Sequence, residues 1–205
     1  MTVCQALLKE SCKKNCADVC DCYQYGVTQT LDQTMKIFLS QRKHKNFQDP
    51  EHHERATKLM LEFYNHFEKE MCIWPMFGTL LGIVREGSLI RHDDDIDFGF
   101  FSEDIEKLEE ILTRLHKEKK FIVIRNQFKT IYTVWKDGVY IDLYSYTSLK
   151  NENCLAQGHR HFYNILNNEA HPFKKIKFKG LEFNCISRPE KWLERFYGKD
   201  WKTPK

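Results

Sequence analysis

The sequence predicts an α/β (α+β) fold, a mixed β-sheet flanked by helices, in one domain from residue 27 to 205 behind a cysteine-rich segment at 1–26. Three observations predict it. Apolar residues recur at helical spacing in 50–67 and 105–115, residues 121–146 hold three β-rich runs, and 93–97 pack four aspartates before the chain turns apolar. The length of 205 residues suffices to bury a core, and 41% hydrophobic residues with fifteen Phe describe a globular chain. A net charge of +3 gives no case for nucleic acid as a partner, and the clusters Arg42-Lys43-His44-Lys45 and Lys174, Lys175, Lys177 and Lys179 read as solvated faces. No stretch is apolar and long enough for an integral membrane segment, and the N-terminus lacks the apolar core of a signal peptide. A soluble, cytoplasmic protein is therefore expected.

Taken in order, the first segment holds Cys4, Cys12, Cys16, Cys20 and Cys22. Cys12, Cys16 and Cys20 share one face of a helix, and the pattern leaves free thiols, structural Zn2+ and disulfides open. Leu31, Met35, Phe38 and Leu39 mark a helix within 28–40, and Pro50 opens a stronger one with Ala56, Leu59, Met60, Phe63 and Phe67 as its apolar stripe. His52 and His53 in its first turn do not match the His-Glu-x-x-His of a helical zinc site and are expected on the surface. Ile73 to Phe77 reads as a short edge strand containing Pro75, followed by a turn at Gly78-Thr79 and a short helix from Leu80 to Glu86. Ser102 is expected to cap a helix with Ile105, Leu108, Ile111, Leu112 and Leu115 buried. Strands are expected at Phe121–Arg125, Thr130–Trp135 and Val139–Tyr146, the last two joined by Lys136-Asp137-Gly138. Residues 151–171 are expected to be irregular, with His159-Arg160-His161 either exposed or facing a phosphate. A hairpin turning at Lys179-Gly180 and a helix from Pro189 to Gly198, with Trp192, Leu193 and Phe196 facing the core, complete the chain.

The chemistry concentrates in the acidic strand. Strand alternation puts Asp95 and Asp97 on one face and Ile96, Phe98 and Phe100 on the other, and Asp93 extends the acidic row. Crowded carboxylates beside a core cost several kcal/mol unless a cation lies between them, and hard oxygen donors suit Mg2+ or Mn2+. Asp142 alternates away from Val139, Ile141 and Leu143 and becomes a third ligand or a base where its strand neighbours the acidic one. Gly78 admits a ligand close to backbone, and Thr79 can cap the next helix, hold a phosphate or do both; the N–H groups there form an anion site.

The order Gly-Thr, short helix, Asp-x-Asp, then a later strand aspartate resembles the nucleotidyltransferase superfamily. More narrowly, Gly78 to Arg85 followed by His92-Asp93-Asp94-Asp95-Ile96-Asp97 resembles the LicD/fukutin family of phosphotransferases, as does the ending from His171-Pro172 to Trp201. The resemblance runs from about Glu51 to the C-terminus; where members often carry Pro-Trp before the aspartates, this chain has Arg91-His92. It implies a nucleotidyltransferase-like sheet and a metal-dependent enzyme that moves a phospho-alcohol, such as phosphocholine or ribitol phosphate, from a CDP-linked donor to a glycan hydroxyl, releasing CMP. By the same resemblance Asp95, Asp97 and Asp142 are catalytic, and these three with Asp93 hold the metal. Gly78, Thr79, Arg85 and His92 face the substrate, Arg85 as a counter-charge to the leaving group or as the partner of a nearby carboxylate. The rival readings are transfer from a nucleoside triphosphate with loss of pyrophosphate, and a non-catalytic calcium- or glycan-binding module.

Overall fold

A computed structural model describes residues 46–125, 130–149, 154–157 and 163–204. The N-terminal cysteines with their zinc option, the helix expected within 28–40, the boundary at 26/27 and His159-Arg160-His161 lie outside these residues.

Helix α1 spans Pro50–Asn65, with Pro50 in its first turn and Asp49 as its cap, whose carboxylate accepts from the N–H groups of Glu51 and His52. Of the expected stripe, Ala56, Leu59, Met60 and Phe63 are buried on α1, whereas Phe67, also buried, lies beyond the helix end at Asn65. His52 is buried too, contrary to the expected surface position, because the first turn of α1 packs its ring beside Phe47 at 5.6 Å. Strand β1, Ile73–Pro75, sits at the sheet edge, where the missing proline N–H breaks no interior ladder. Helix α2 is Phe77–Glu86, so Gly78 and Thr79 belong to its first turn rather than to a turn before it. Its cap, Met76, makes no side-chain capping bond, and Thr79 caps nothing.

Strand β2, Asp95–Phe101, leads through a 3-10 turn at Ser102–Asp104 into α3, Ile105–Lys119. Ser102 accepts a hydrogen bond from the Thr147 hydroxyl and does not cap that helix. Strands β3, Ile122–Arg125, β4, Ile131–Lys136, and β5, Val139–Leu149, follow, with Asp137 and Gly138 both at positive φ in the two-residue turn between β4 and β5. The stretch expected to be irregular carries β6, Cys154–Gln157, β7, Ile165–Leu166, and the single turn α4, Asn167–Ala170. These short segments lack the periodicity that identifies longer elements; β6 is held by pairing with β5, and β7 by pairing with β6. The hairpin β8, Lys174–Phe178, with β9, Leu181–Cys185, and helix α5, Pro189–Tyr197, match the expected ending.

Among the described residues the main sheet is mixed and seven-stranded, in the order β1-β2-β5-β4-β3, with β6 on the end of β5 and β7 beyond it. Strands β2 and β5 run parallel at its centre, and β1 is antiparallel to β2. Each face of β2 buries a different core. Ile96, Phe98 and Phe100 join Phe63, Leu108, Ile111, Leu112, Ile141 and Leu143 beneath α1 and α3. The opposite face packs Trp74, Met76, Leu80, Tyr146, Trp192 and Leu193 against α2 and α5. Gly99 lies on that second face because the Trp74 indole occupies the place of a side chain: a Cβ there would stand 2.5 Å from the ring. No helix among the described residues is long and apolar enough to cross a membrane.

Candidate active site

The acidic cluster is built by sheet register. Parallel pairing sets Asp97 directly beside Asp142, and Asp95 precedes Asp97 by two residues on the same face of β2. One carboxylate oxygen from each of Asp95, Asp97 and Asp142 lies within 4.8 Å of the others, and the same limit holds for Asp93, Asp94 and Asp95. Asp95 and Asp142 are half-buried, whereas Asp97 is 5% exposed.

Burial pushes the Asp97 carboxyl well above the ordinary aspartate range; the charges of Asp95, Asp142 and Asp93 push it further, and a hydrogen bond from the Tyr144 hydroxyl partly offsets them. Burial likewise raises Asp93, against a hydrogen bond from the Asp94 N–H at 3.2 Å. Among the described residues, the charged groups that act on Asp97 are the carboxylates of Asp95, Asp142 and Asp93. Three oxygen donors this close together could hold a divalent cation.

The backbone around Asp97 is fastened on both sides. Its N–H donates to Thr79 Oγ1 at 2.8 Å, and its carbonyl accepts from the Met76 N–H at 2.9 Å. Thr79 is 1% exposed, so its side chain locks α2 to β2. Gly78 is required for another reason: a Cβ there would fall 1.9 Å from Asp93 Oδ2, and only glycine lets that carboxylate lie against the first turn of α2.

Above the carboxylates opens a cleft of about 200 Å³ lined by Phe77, Asp95, Asp97, Tyr144, Tyr163 and Phe196. Thus Asp93, Asp95, Asp97, Asp142, Gly78 and Thr79 come together, and two other expected residues stay apart. Arg85 bonds Glu86 through Nε at 3.1 Å and the Trp201 carbonyl through Nη1 at 3.2 Å, because the last turn of α2 aims it at the C-terminal segment. His92 is exposed and outside the cleft lining. The aromatic lining escaped sequence reasoning. Tyr144 shares the parity of Asp142 on β5 and was legible in that respect; Phe196 carried only the signal of a core helix position, and Tyr163 stands in the stretch without periodicity. Burial, and then the charges of Asp97, Asp142 and Asp95, hold the Tyr144 phenol above its ordinary range, so it stays a hydrogen-bond donor.

The family described as LicD/FKTN/FKRP, nucleotidyltransferase domain, matches residues 70–185, more than half of the chain. An uncharacterized protein of Rickettsia prowazekii (strain Madrid E), RP689, is 28% identical over 184 residues, which are 85% of this chain and 62% of that one. A second, RT0683 of Rickettsia typhi (strain ATCC VR-144 / Wilmington), is 28% identical over 132 residues, 63% of this chain and 38% of that protein. The chain therefore spans less than two thirds of either relative. The crystal structure of ANT(2″)-Ia in complex with adenylyl-2″-tobramycin superposes with a TM-score of 0.46 at 16% identity, over 65% of this chain and 70% of that one. The matched range contains α2, the four aspartates of the site and the strands that bring them together, and by that match the chain belongs to the LicD/FKTN/FKRP nucleotidyltransferase-domain family.

Proposed function

We propose that the chain is a phosphotransferase that moves a phospho-alcohol from a CDP-linked donor to a glycan hydroxyl and releases CMP. The observation that carries this reading is the convergence of Asp95, Asp97 and Asp142 at the floor of an open cleft, with one carboxylate buried against its own charge. Family membership supports transfer chemistry of the phosphotransferase or nucleotidyltransferase kind.

Asp95 and Asp97 are assigned to hold Mg2+ or Mn2+, with Asp93 at the edge of the set. Such an ion, when bound, neutralises charge on the diphosphate and on the departing phosphate. Thr79 keeps Asp97 in place through the Asp97 N–H. Asp142, half-exposed on the neighbouring strand, completes the set and is assigned the acceptor's proton. The acceptor oxygen attacks the phosphorus that carries the alcohol, the bond from that phosphorus to the bridging oxygen breaks, and CMP leaves with the electron pair. Arg85, clasped by Glu86 and the Trp201 carbonyl, is assigned to tying α2 to the C-terminal segment rather than to the leaving group.

The test is an incubation with Mg2+ or Mn2+ and, separately, CDP-choline, CDP-ribitol, CDP-glycerol and nucleoside triphosphates, with products resolved by mass. Release of CMP with the phospho-alcohol on an acceptor, or slowly on water, is expected. Pyrophosphate released from a triphosphate would instead establish nucleotidyl transfer, since attack at the α-phosphorus gives that leaving group. An acceptor-free version compares wild type with Asp95→Asn for Mn2+-dependent binding of each CDP-alcohol. Binding by the wild type and its loss in the variant are expected; calcium binding without any nucleotide binding would favour a non-catalytic module.

A further inference from the structure

The turn from β1 into α2 holds a bulky residue in a conformation it resists. Phe77 has φ 44°, in the left-handed region where a Cβ crowds the backbone and which glycine occupies without that penalty. The surroundings over-determine it. The Met76 N–H donates to the Asp97 carbonyl at 2.9 Å, the Asp97 N–H to Thr79 Oγ1 at 2.8 Å, and the Leu80 N–H to the Met76 carbonyl at 2.9 Å. Glycine at 77 would relieve the strain, so the aromatic ring is what the strained backbone retains, and strain of this kind accumulates where a side chain must be aimed.

That ring is aimed into the cleft. It stands edge-on to Tyr144 and to Tyr163, each at 5.0 Å between centroids, and 5.6 Å from Phe196. Phe196 is backed by Trp192, stacked at 4.8 Å with 9° between the planes, so the wall is braced from behind. Asp95 and Asp97 complete the lining, and no lysine or arginine joins it among the described residues. At about 200 Å³ the cleft is smaller than the roughly 300–1,000 Å³ that encloses a whole drug-sized ligand. It therefore suits one moiety beside the phosphates rather than an entire nucleotide donor.

We infer that Phe77 determines specificity: its ring is the wall against which the moiety next to the diphosphate packs, through a π face or a C–H face. This rests on the phosphotransferase reading, which sets the diphosphate at the carboxylates. A pyrimidine base and a small aliphatic alcohol both present such a surface, and the two arms of the test separate them.

The experiment compares full-length wild type, Phe77→Gly, Phe77→Leu and Phe77→Tyr by calorimetry, first with Mn2+ alone and then with Mn2+ plus CMP, CDP-choline or CDP-ribitol. Mn2+ affinity is expected to stay within about twofold in all variants, because no metal ligand is touched. Affinity for the CDP-alcohols is expected to fall about tenfold or more in Phe77→Gly and Phe77→Leu and to return in Phe77→Tyr, the scale of a lost aromatic contact. A parallel fall for CMP assigns the wall to the base; unchanged CMP binding assigns it to the alcohol. Phe77→Leu keeps apolar bulk, so the comparison stands even if the glycine variant folds poorly. Unchanged CDP-alcohol affinity in Phe77→Leu, or loss of Mn2+ affinity along with it, overturns the inference. If wild type binds triphosphates but no CDP-alcohol, the phosphotransferase reading falls by itself and the variants are judged on the triphosphate, where an unchanged affinity overturns the role of Phe77. Binding of neither class by the wild type overturns both.

Discussion

Asp97 is a carboxylate on a central strand, buried at the floor of the cleft and faced by three others. Its pKa in the folded protein lies above the ordinary value of 3.8, so the metal-free folded state keeps this proton at pH values where the unfolded chain has released it. More protons bound in the folded state means that stability falls as pH rises. The penalty is absent below the ordinary aspartate pKa and is complete once pH passes the raised folded value. Asp97→Asn removes the charge and keeps the shape. In metal-free protein the variant is expected to melt at or above the wild-type temperature near neutrality, with the difference narrowing toward about pH 4. It is also expected to lose Mn2+ binding and turnover. Thermal unfolding of both proteins across pH, in chelator, checks this, and a variant clearly less stable than wild type at neutral pH would make Asp97 a structural residue.

Helix α5 brings Phe196 to the cleft although it follows the paired strands in the chain, and a side-chain clasp adds to the packing of Trp192 and Leu193 that holds it there. Arg195 donates through Nε to Glu169 Oε1 at 3.0 Å and through Nη2 to Oε2 at 2.6 Å, and also to the Asn164 carbonyl at 2.8 Å. Glu169 is 4% exposed and accepts from the Leu166 N–H as well, so α4 and α5 share one carboxylate. Arg195→Ala would leave that carboxylate buried without its partner. A cost of about 3 kcal/mol follows, at the low end for buried pairs because Arg195 itself is partly exposed. Arg195→Lys is expected to recover less than half of it, since an ammonium cannot reproduce the two-pronged contact. Chemical denaturation reads both numbers, and unchanged stability in Arg195→Ala would show that the Trp192 and Leu193 packing alone secures the helix.

For the molecule as a whole, the crowding of Asp95, Asp142 and Asp93 around Asp97 would couple cation binding to folding. A ligand that binds the folded state alone, at about 100 times its dissociation constant, adds ~2.7 kcal/mol, or roughly 5–10 °C in a domain of this size. Adding Mn2+ or Mg2+ is expected to raise the melting temperature of wild type on that scale at neutral pH. The rise is expected to shrink at acid pH, where the carboxylates keep their protons, and to vanish in Asp97→Asn. Equal stabilisation of both proteins by the cation would place the binding elsewhere.

Local patterns carried much of this architecture. The stripe of α1, the alternation of β2 and β5, the Asp-Gly and Lys-Gly hairpins and the Pro-to-Gly limits of α5 follow from periodicity and turn chemistry within a few residues, and the structure contains each of them. The parity of Asp95 with Asp97, and of Asp142 against its apolar neighbours, was equally legible, because a strand assigns faces without reference to any partner. What the chain could not declare was which strands adjoin. The parallel pairing that seats Asp142 beside Asp97 joins residues 45 positions apart, and only packing on both sheet faces selects it. The same applies to the Thr79 hydroxyl on the Asp97 N–H, the burial of His52, the turn of Arg85 toward Trp201, and the cleft wall of Phe77, Tyr163 and Phe196. Sequence alone determined which residues bear the charge and which faces of their strands they occupy, since these depend on local geometry. Tertiary structure decided how closely the charges approach and what surrounds them, since both depend on contacts between segments whose separation along the chain leaves no periodic trace.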